Sequence, residues 1–155
     1  MHNVFDYVLD KGGLYTEAQY PYIASEGESC RKPEGNQVKE LLKDYRRFKV
    51  HNSTEFRDFL SYEGLVTVGI DIKDLLMYKE GVFDGTCGSN INHAVVIVGF
   101  GRNKRDGQKF WKIRNSWGSS WGESGYFKIG RHDFDGVEEI CGITQYAVSP
   151  LGDEI

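Results

Sequence analysis

The stretch "NHAVVIVGFG", residues 92–101, places His93 at the head of an apolar, β-branched run that ends in glycines. Valine and isoleucine favour an extended backbone, so the run predicts a β-strand that begins at the histidine. Runs of the same character follow each other through the second half of the chain: "LVTVGIDI" (65–72), "KFWKIRNSWG" (109–118), "GYFKIGR" (125–131) and "TQYAVSP" (144–150). Four or five such runs separated by turn residues predict a small antiparallel sheet or barrel.

The first forty residues have a different pattern. Apolar side chains within residues 4–9 recur at helical spacing, and "KGG" at 11–13 is typical of a helix end. Residues 14–40 are rich in proline, glycine and polar side chains, which predicts irregular structure with turns. A loop of this length in a compact domain is expected to be tied down on the surface.

A second short helix is predicted between these two regions. The segment "NSTEFRDFLSYEG", residues 52–64, carries its apolar residues on one helical face. Ser53 or Thr54 is the expected N-cap, and Gly64 is the expected stop.

Composition excludes several classes of function. The 155-residue chain is 39% hydrophobic and 14% aromatic, with a net charge of −4, which indicates a globular protein without the basic surface that nucleic-acid binding needs. The basic run "KDYRRFK", residues 43–49, is interpreted as a solvated face. No stretch approaches the roughly 18 apolar residues of a membrane span, and the first ten residues lack the features of a secretory signal. We therefore expect neither a nucleic-acid nor a membrane partner.

His93 and Asn115 together suggest chemistry. Histidine can act as a general base near neutral pH if a third group holds its ring, and an asparagine oxygen can do this without adding a charge. The other ring nitrogen then faces a nucleophile, and a thiol suits a neutral orienting residue because thiolate and imidazolium stabilise each other. Taken singly, a histidine such as His93 is more often structural, and an asparagine such as Asn115 is more often a turn residue.

The surrounding sequence favours the catalytic interpretation. "NHAVVIVGFG" followed by "FWKIRNSWGSSWGESGYFKIGR" resembles the C-terminal half of the papain-like cysteine proteases, which include the cathepsins. "GGLYTEAQYPY", "GVFDGTCG" and "EICGI" are further landmarks of that family. The resemblance implies that His93 is the catalytic base, that Asn115 orients it and that Trp117 shields their hydrogen bond from water. For Trp117, plain core packing is compatible with that role.

The resemblance also implies a fold. The expected class is α+β: a partial helical lobe and an antiparallel β-barrel lobe, with the active-site cleft between them. By this likeness residues 1–46 are the remnant of the helical lobe, residues 47–147 are the barrel lobe that carries His93 and Asn115, and residues 148–155 are a C-terminal tail.

The cysteines do not supply the family's nucleophile. That residue lies in a CGSCW-like segment well upstream of the histidine, and none of the three cysteines here has such surroundings. Cys87 and Cys141 match two family cysteines that form a disulfide with each other. Cys30 matches a cysteine whose partner lies upstream, so it is expected to be unpaired in this chain. The glutamine of the oxyanion hole is missing as well.

We therefore interpret the chain as the C-terminal two-thirds of a papain-like peptidase, inactive by itself and prone to aggregate. It is an incomplete sequence, a processed chain or a truncated gene product, and its expected partner is the upstream part of the same protease, comprising the pro-segment and the nucleophile segment. The alternative is a non-catalytic papain-like module for binding or regulation.

Substrate choice is expected to depend on a pocket for the side chain two residues before the scissile bond. The resemblance places Gly69, Asn92 and Ala94 along this pocket and Tyr146 at its floor, which predicts a preference for small or medium apolar side chains or a tyrosine rotamer that opens a deeper pocket. In the competing interpretation, Tyr146 only packs against the barrel.

The remaining expectations follow from the same sources. Peptide or protein substrates and inhibitors of the cystatin type are the expected partners, and the expected location is lysosomal or secreted. The triplet Asn52-Ser53-Thr54 is a weak glycosylation signal. No cofactor or metal is expected: the cysteines form no CxxC, and "HDFDGVEEI" fails as a calcium loop because Arg131 and Gly142 would occupy its first and last positions.

Overall fold

A computed structural model describes residues 1–27, 29–31, 33–39, 42–50, 52–132 and 140–151. The chain divides into two compact units, one formed by Met1–Arg46 with Pro150–Ile155 and the other by Arg47–Ser149. The assignment of residues 1–46, 47–147 and 148–155 to two lobes and a tail stays a prediction, and residues 152–155 lie outside the described part.

The first unit begins with the predicted helix. Helix α1 spans His2–Lys11 and is capped at its C-terminus by Gly12, whose φ of 70° is in the left-handed region that glycine adopts without strain. Strand β1 (Gly13–Leu14) then pairs antiparallel with β2 (Val38–Lys39). The described residues between these strands form neither helix nor strand, which confirms the irregular segment.

A seven-stranded sheet dominates the structure. In addition to the short strands β3 (Asp44–Phe48) and β5 (Val82–Phe83), its members are β4 (Val66–Ile70), β6 (His93–Arg102), β7 (Lys109–Arg114), β8 (Tyr126–Gly130) and β9 (Ala147–Leu151). The order is β3-β9-β4-β6-β7-β8-β5. The five strands predicted from apolar runs are confirmed.

Two strands escaped the sequence pattern. The basic run around Arg46 and Arg47, interpreted as a solvated face, does expose both arginines but lies in β3. Strand β5 contains only two residues and pairs parallel with β8, whereas β4, β6, β7 and β8 pair antiparallel in sequence order along the sheet. Neither strand contains the long β-branched and aromatic run on which the prediction depended.

Helix α2 spans Ser53–Glu63, as predicted, but its N-cap is Asn52 rather than Ser53 or Thr54. Asn52 has an extended backbone, and its Oδ1 accepts a hydrogen bond of 2.8 Å from the amide of Glu55. Ser53 is instead buried, and its Oγ donates to the carbonyl of His132 at 2.5 Å. A serine already bonded elsewhere leaves the cap to the preceding residue.

The core of the second unit lies between α2 and one face of the sheet. Phe56 of the helix packs on Trp111 of β7 with ring centroids 5.2 Å apart, and both side chains are fully buried. Alternate residues of the neighbouring strands complete this layer: Val66, Val68, Ile70, Val95, Ile97, Ile113, Phe127 and Ile129. Each such side chain contributes roughly 1.5–3 kcal/mol relative to exposure, so this core holds the strand ends that carry the site.

Candidate active site

Two strand ends bring His93 and Asn115 together. His93 is the first residue of β6, and Asn115 directly follows β7, the antiparallel neighbour of β6. The Nε2 atom of His93 lies 2.9 Å from Asn115 Oδ1. Asn115 is only 7% exposed, so water competes little for this hydrogen bond.

The hydrogen bond also determines the tautomer of a neutral ring. Asn115 Oδ1 accepts a second hydrogen bond, from the amide of Ser116 at 2.8 Å, which fixes the oxygen rather than the amide nitrogen toward the histidine. A carbonyl oxygen can only accept, so Nε2 donates and Nδ1 is left with its lone pair. No hydrogen-bond partner of Nδ1 is found in the described part of the chain.

Trp117 covers the pair. Its ring centroid lies 5.1 Å from that of His93, and the ring is partly exposed. On its other side it meets Trp121 edge-on at 5.1 Å, and Trp121 in turn contacts Phe127 of the core. The aromatic chain therefore holds Trp117 against the histidine from within the fold.

A carboxylate that the sequence interpretation missed fixes the glycine-rich turn after Asn115. Glu123 Oε1 accepts hydrogen bonds from the hydroxyl of Tyr78 (3.0 Å), the amide of Gly81 (2.8 Å) and Nζ of Lys128 (2.9 Å). Burial alone raises the pKa of Glu123, but the bonds from Lys128, Gly81 and Tyr78 hold it below its usual value. Burial, assisted by Glu123, raises the pKa of Tyr78. The signal available in the sequence was a single charged residue within "SWGESGY".

The loop that leads into His93 is closed by the expected disulfide. Cys87 and Cys141 are bonded, which confirms that pairing. Asp71, which the sequence interpretation also missed, contacts the same loop: its Oδ1 accepts from Asn92 Nδ2 at 3.0 Å and its Oδ2 from the amide of Asn90 at 3.2 Å. The predicted pocket residue Asn92 thus has its amide turned onto Asp71.

The other predicted pocket residues are neighbours. Gly69 and Ala94 face each other in the β4–β6 register, and the amide of Gly69 donates to the carbonyl of Tyr146 at 3.1 Å. Gly69 is buried, Ala94 is exposed and Tyr146 is partly buried. The backbone therefore brings these three residues side by side, next to the histidine.

A cavity of about 530 Å³ lies on the outer face of β6 and β7. Ala94, Val96, Arg114 and Asn115 line it, together with serines and glycines of the following turn. It opens beside the histidine–asparagine pair rather than within the core.

Other chemistry has less support. Cys30 is unpaired and exposed in the first unit. Across the described ranges, no group of three or more His, Cys, Asp or Glu side chains is arranged to hold a metal ion. No helix in the described part of the chain has the length and apolar character needed to cross a membrane. The acidic segment weighed as a calcium loop lies mostly in residues 133–139, outside the described residues.

Comparison with known proteins gives one consistent result. The profile of the papain family of cysteine proteases matches residues 1–151. Vignain from Vigna mungo is 36% identical over 153 residues, and the probable cysteine protease RDL6 from Arabidopsis thaliana is 33% identical over 153 residues. These alignments cover 97% of this chain but only 41% and 42% of the two relatives, so the chain spans about two-fifths of their length.

Solved structures agree with the fold. Bromelain from Ananas comosus, determined in complex with the inhibitor E64, superposes with a TM-score of 0.81 at 32% identity, over 96% of this chain and 67% of that one. Procathepsin L2 from the larval midgut of Tenebrio molitor gives a TM-score of 0.80 at 37% identity, over 95% of this chain and 45% of that one. The α+β, papain-like fold class is thereby confirmed.

Proposed function

Because the chain belongs to the papain family of cysteine proteases, we propose that it supplies the general base and the orienting amide for peptide-bond hydrolysis. His93 is the base and Asn115 orients it. The nucleophilic thiol comes from outside these 155 residues, from the upstream part of the same protease. The chain by itself is inactive in this proposal.

One observation carries the proposal: the 2.9 Å hydrogen bond between His93 Nε2 and Asn115 Oδ1. It holds the ring with its Nδ1 lone pair available to accept a proton. Trp117 limits the access of water to the bond, which strengthens it.

The reaction follows from this geometry. Nδ1 of His93 takes the proton of the thiol, and the thiolate attacks the carbonyl carbon of the scissile peptide bond. The resulting imidazolium donates the proton to the leaving amine as the carbon–nitrogen bond breaks, which leaves an acyl thioester. His93 then removes a proton from water, the hydroxide attacks the thioester, and the protonated ring returns the proton to the thiolate.

The chain's own cysteines support an external thiol. Cys87 and Cys141 are joined in a disulfide and carry no proton to lose. Cys30 is exposed in the first unit, in surroundings unlike those of the family's nucleophile. In the relatives, more than half of the length lies outside the part that this chain matches.

The same proposal assigns a substrate subsite. Gly69, Asn92 and Ala94 line it and Tyr146 forms its floor, and their proximity at the ends of β4 and β6 supports this. Truncation of Tyr146 to alanine in the complete enzyme should shift the preference in a peptide library toward larger side chains at the position two residues before the cut. An unchanged library profile would indicate that Tyr146 only packs against the sheet.

Compartment and partners are proposed on the disulfide and on the relatives. A disulfide persists in oxidising compartments, which fits an endomembrane or extracellular protein, and we propose the lysosome or secretion. A pro-segment and inhibitors of the cystatin type are the proposed protein partners, beside peptide substrates. Asn52 is the proposed glycosylation site.

A labelling experiment tests the function. The native protein, with all sequence that accompanies this chain, is treated with an epoxysuccinyl inhibitor, and intact mass and peptide cleavage are measured. We expect one equivalent of label on a thiol outside this chain, and a loss of at least about 10³-fold in kcat with His93→Ala. His132→Ala is the control, because His132 is a partly exposed histidine of the same unit bonded to Asp84. Labelling or cleavage that survives His93→Ala would contradict the proposal.

The second candidate is a non-catalytic module for binding or regulation. It applies if the sequence that accompanies this chain carries no thiol with the surroundings of the family's nucleophile. Peptide binding by the native protein without cleavage or inhibitor labelling would support it over the enzyme.

A further inference from the structure

Asp71 is a buried acidic residue whose contacts converge on the loop that precedes the base. It directly follows β4 and is 6% exposed. Its carboxylate accepts hydrogen bonds from the amide of Lys73 (3.2 Å), the amide of Asn90 (3.2 Å) and the side-chain amide of Asn92 (3.0 Å). Two of these three donors belong to the segment immediately before His93.

We propose that Asp71 is a positioning residue for His93: its carboxylate anchors the Gly88–Asn92 segment and so determines how the imidazole is presented to Asn115. The assignment rests on the proposed function, in which His93 is the base. It concerns a residue that touches neither the reacting thiol nor the substrate and acts through the backbone of the loop.

The anchoring continues into Asn92, the residue next to the base. The Asn92 backbone amide donates to the carbonyl of Ile70 at 3.1 Å, and its Oδ1 accepts from the amide of Ile72 at 3.1 Å. With the bond from its Nδ2 to Asp71, this residue is held at three points by the end of β4 and the two residues after it. The chain entering His93 therefore has little freedom to rotate.

The far end of the loop is tied to the same place. The amide of Asp71 donates to the carbonyl of Cys141 at 2.9 Å, and Cys141 is disulfide-bonded to Cys87. Cys87 Sγ also lies 3.3 Å from the carbonyl oxygen of Asp71, a contact and not a hydrogen bond, since the bonded sulfur has no proton. The start of the loop at Cys87 and its end at Asn92 are therefore both connected to Asp71, the first through Cys141 and the disulfide and the second through a direct hydrogen bond.

Gly88 lets the loop approach the carboxylate. A Cβ atom built at Gly88 would overlap Oδ2 of Asp71, the oxygen that binds the amide of Asn90. The backbone at Gly88 does not have the left-handed φ that requires glycine. The absence of a side chain here therefore serves the contact with Asp71 rather than the conformation.

The charge of Asp71 suits it to anchor several N–H donors of the loop. No cation pairs with its carboxylate in the part of the chain that the structure describes, where its oxygens are satisfied by N–H donors. The hydrogen bonds from the Lys73 amide and from Asn92 hold the pKa of Asp71 below its usual value, so it is ionised at neutral pH. The positive charge of Lys73 makes a further, smaller contribution in the same direction. The ionised carboxylate provides a fixed acceptor for several donors of one loop.

The test uses two ways of disturbing the contact, each with a matched control. Asp71→Asn replaces one acceptor oxygen by a donor that faces the amide of Asn90 or Asn92. Gly88→Ala leaves the carboxylate intact but displaces it. Asp84→Asn is the control for the first, because Asp84 is bonded to His132 and Gln108 of the same unit. Gly99→Ala, in the same strand as His93, is the control for the second, since a Cβ there meets no atom within 4 Å.

The measurement is made on the native protein, with all sequence that accompanies this chain, using ¹⁵N-labelled histidine and NMR. Asp71→Asn and Gly88→Ala should shift the His93 ring signals, accelerate solvent exchange of its Nε2 proton on the order of tenfold, and leave His132 unchanged. Asp84→Asn should move only the His132 signals, and Gly99→Ala should move neither. This pattern supports the assignment whether or not the native protein cleaves peptides, so it can fail separately from the proposed function.

Three outcomes would overturn it. One is a folded Asp71→Asn chain with unaltered His93 signals, and another is an equal response of His93 in all four variants. The third is loss of the folded state in both Asp71→Asn and Gly88→Ala, which would make Asp71 a residue of the whole fold rather than one that positions the base.

Discussion

The two units differ in how much apolar surface they bury themselves. Of the eighteen apolar side chains that are buried among the described residues, only Val8 belongs to the first unit; the remainder lie in the second. Several large apolar side chains of the first unit are exposed instead: Val4, Tyr7, Leu9, Leu14, Tyr20, Tyr22, Ile23 and Val38. The second unit has a core of its own, whereas the first leaves most of its large apolar side chains exposed.

This difference bears on the proposed function. The histidine and the asparagine are attached to strands of the unit that has its own core. Exposed apolar surface of this extent is typical of a face that contacts other polypeptide. The first unit is therefore the part for which we expect further protein to matter most, and local stability should be lowest there.

The largest effect on stability is expected from a substitution at the centre of the second unit's core, and it tests the difference between the two units most directly. Trp111 is fully buried between Phe56 and Phe100. Trp111→Ala should lower the free energy of unfolding by about 4 kcal/mol, through lost transfer energy and the cavity left behind. The measurement is urea unfolding followed by far-UV circular dichroism.

Tyr22→Ala is the control for that variant. Tyr22 is an exposed aromatic residue of the first unit, 83% accessible, and its loss should change the free energy of unfolding by less than about 0.5 kcal/mol. Similar losses for Trp111→Ala and Tyr22→Ala would contradict the view that only the second unit has a core.

The disulfide is the next largest contribution. Cys87 and Cys141 are 54 residues apart, so their bond restricts a long loop of the unfolded chain. Replacement of both by serine should cost about 3 kcal/mol in unfolding free energy, measured by thermal or urea denaturation.

Cys30→Ser provides the matched control for the disulfide variant. Cys30 is an unpaired, exposed thiol of the first unit, so its replacement should leave the unfolding transition where it was. A large effect of Cys30→Ser, or none of the double replacement, would mean that the stability is distributed differently between the units.

Glu123 offers a smaller, pH-dependent test. Its folded-state pKa is depressed, so its ionisation stabilises the fold above the ordinary pKa and that contribution disappears as pH falls through the folded value. Glu123→Gln should cost about 1 kcal/mol at about pH 7, a value reduced for partial exposure, and this cost should shrink as the pH falls through the depressed folded-state pKa of Glu123. Glu80→Gln, an exposed glutamate of the same unit, should show no such difference. A pH-independent cost for Glu123→Gln would be evidence against the charged network with Lys128.

The sequence could predict those features that depend on local pattern. Runs of β-branched and aromatic residues predicted β4, β6 and β7. The pairing of His93 with Asn115, which are far apart in sequence, was expected from the resemblance of the surrounding motifs to the papain-like family. What escaped is set by tertiary contacts. Asp71 and Glu123 are each one acidic residue among many, and only the folded backbone brings three donors to each.

The N-cap of α2 was wrong for a similar reason. Ser53 and Thr54 have good capping side chains, and nothing local reveals that Ser53 is already bonded to the carbonyl of His132. The choice among three adjacent capping residues was made by a partner far along the chain.

Asn52 gives an expected effect of similar size and separates two roles of one side chain. Its Oδ1 caps α2, while its Nδ2 is the proposed attachment point of a glycan. Asn52→Ala removes both and should cost about 1 kcal/mol in unfolding free energy. Asn52→Asp keeps an acceptor oxygen for the cap but abolishes the glycosylation signal, so its unfolding free energy should stay close to that of the parent chain.

Thr54→Val completes the set. It keeps the cap of Asn52 intact and removes the hydroxyl that glycosylation requires, and Thr54 is exposed, so the substitution should be nearly neutral for folding. The parent chain and the three variants are expressed in a secretory host and their intact masses are measured. Only the parent chain should carry the glycan. If the chain never carries a glycan, Asn52→Ala should still be the only one of the three variants with a lowered free energy of unfolding, because the capping hydrogen bond lies within the second unit and does not involve the glycan. Equal stability of Asn52→Ala and Asn52→Asp would instead mean that the bond to the amide of Glu55 contributes nothing measurable.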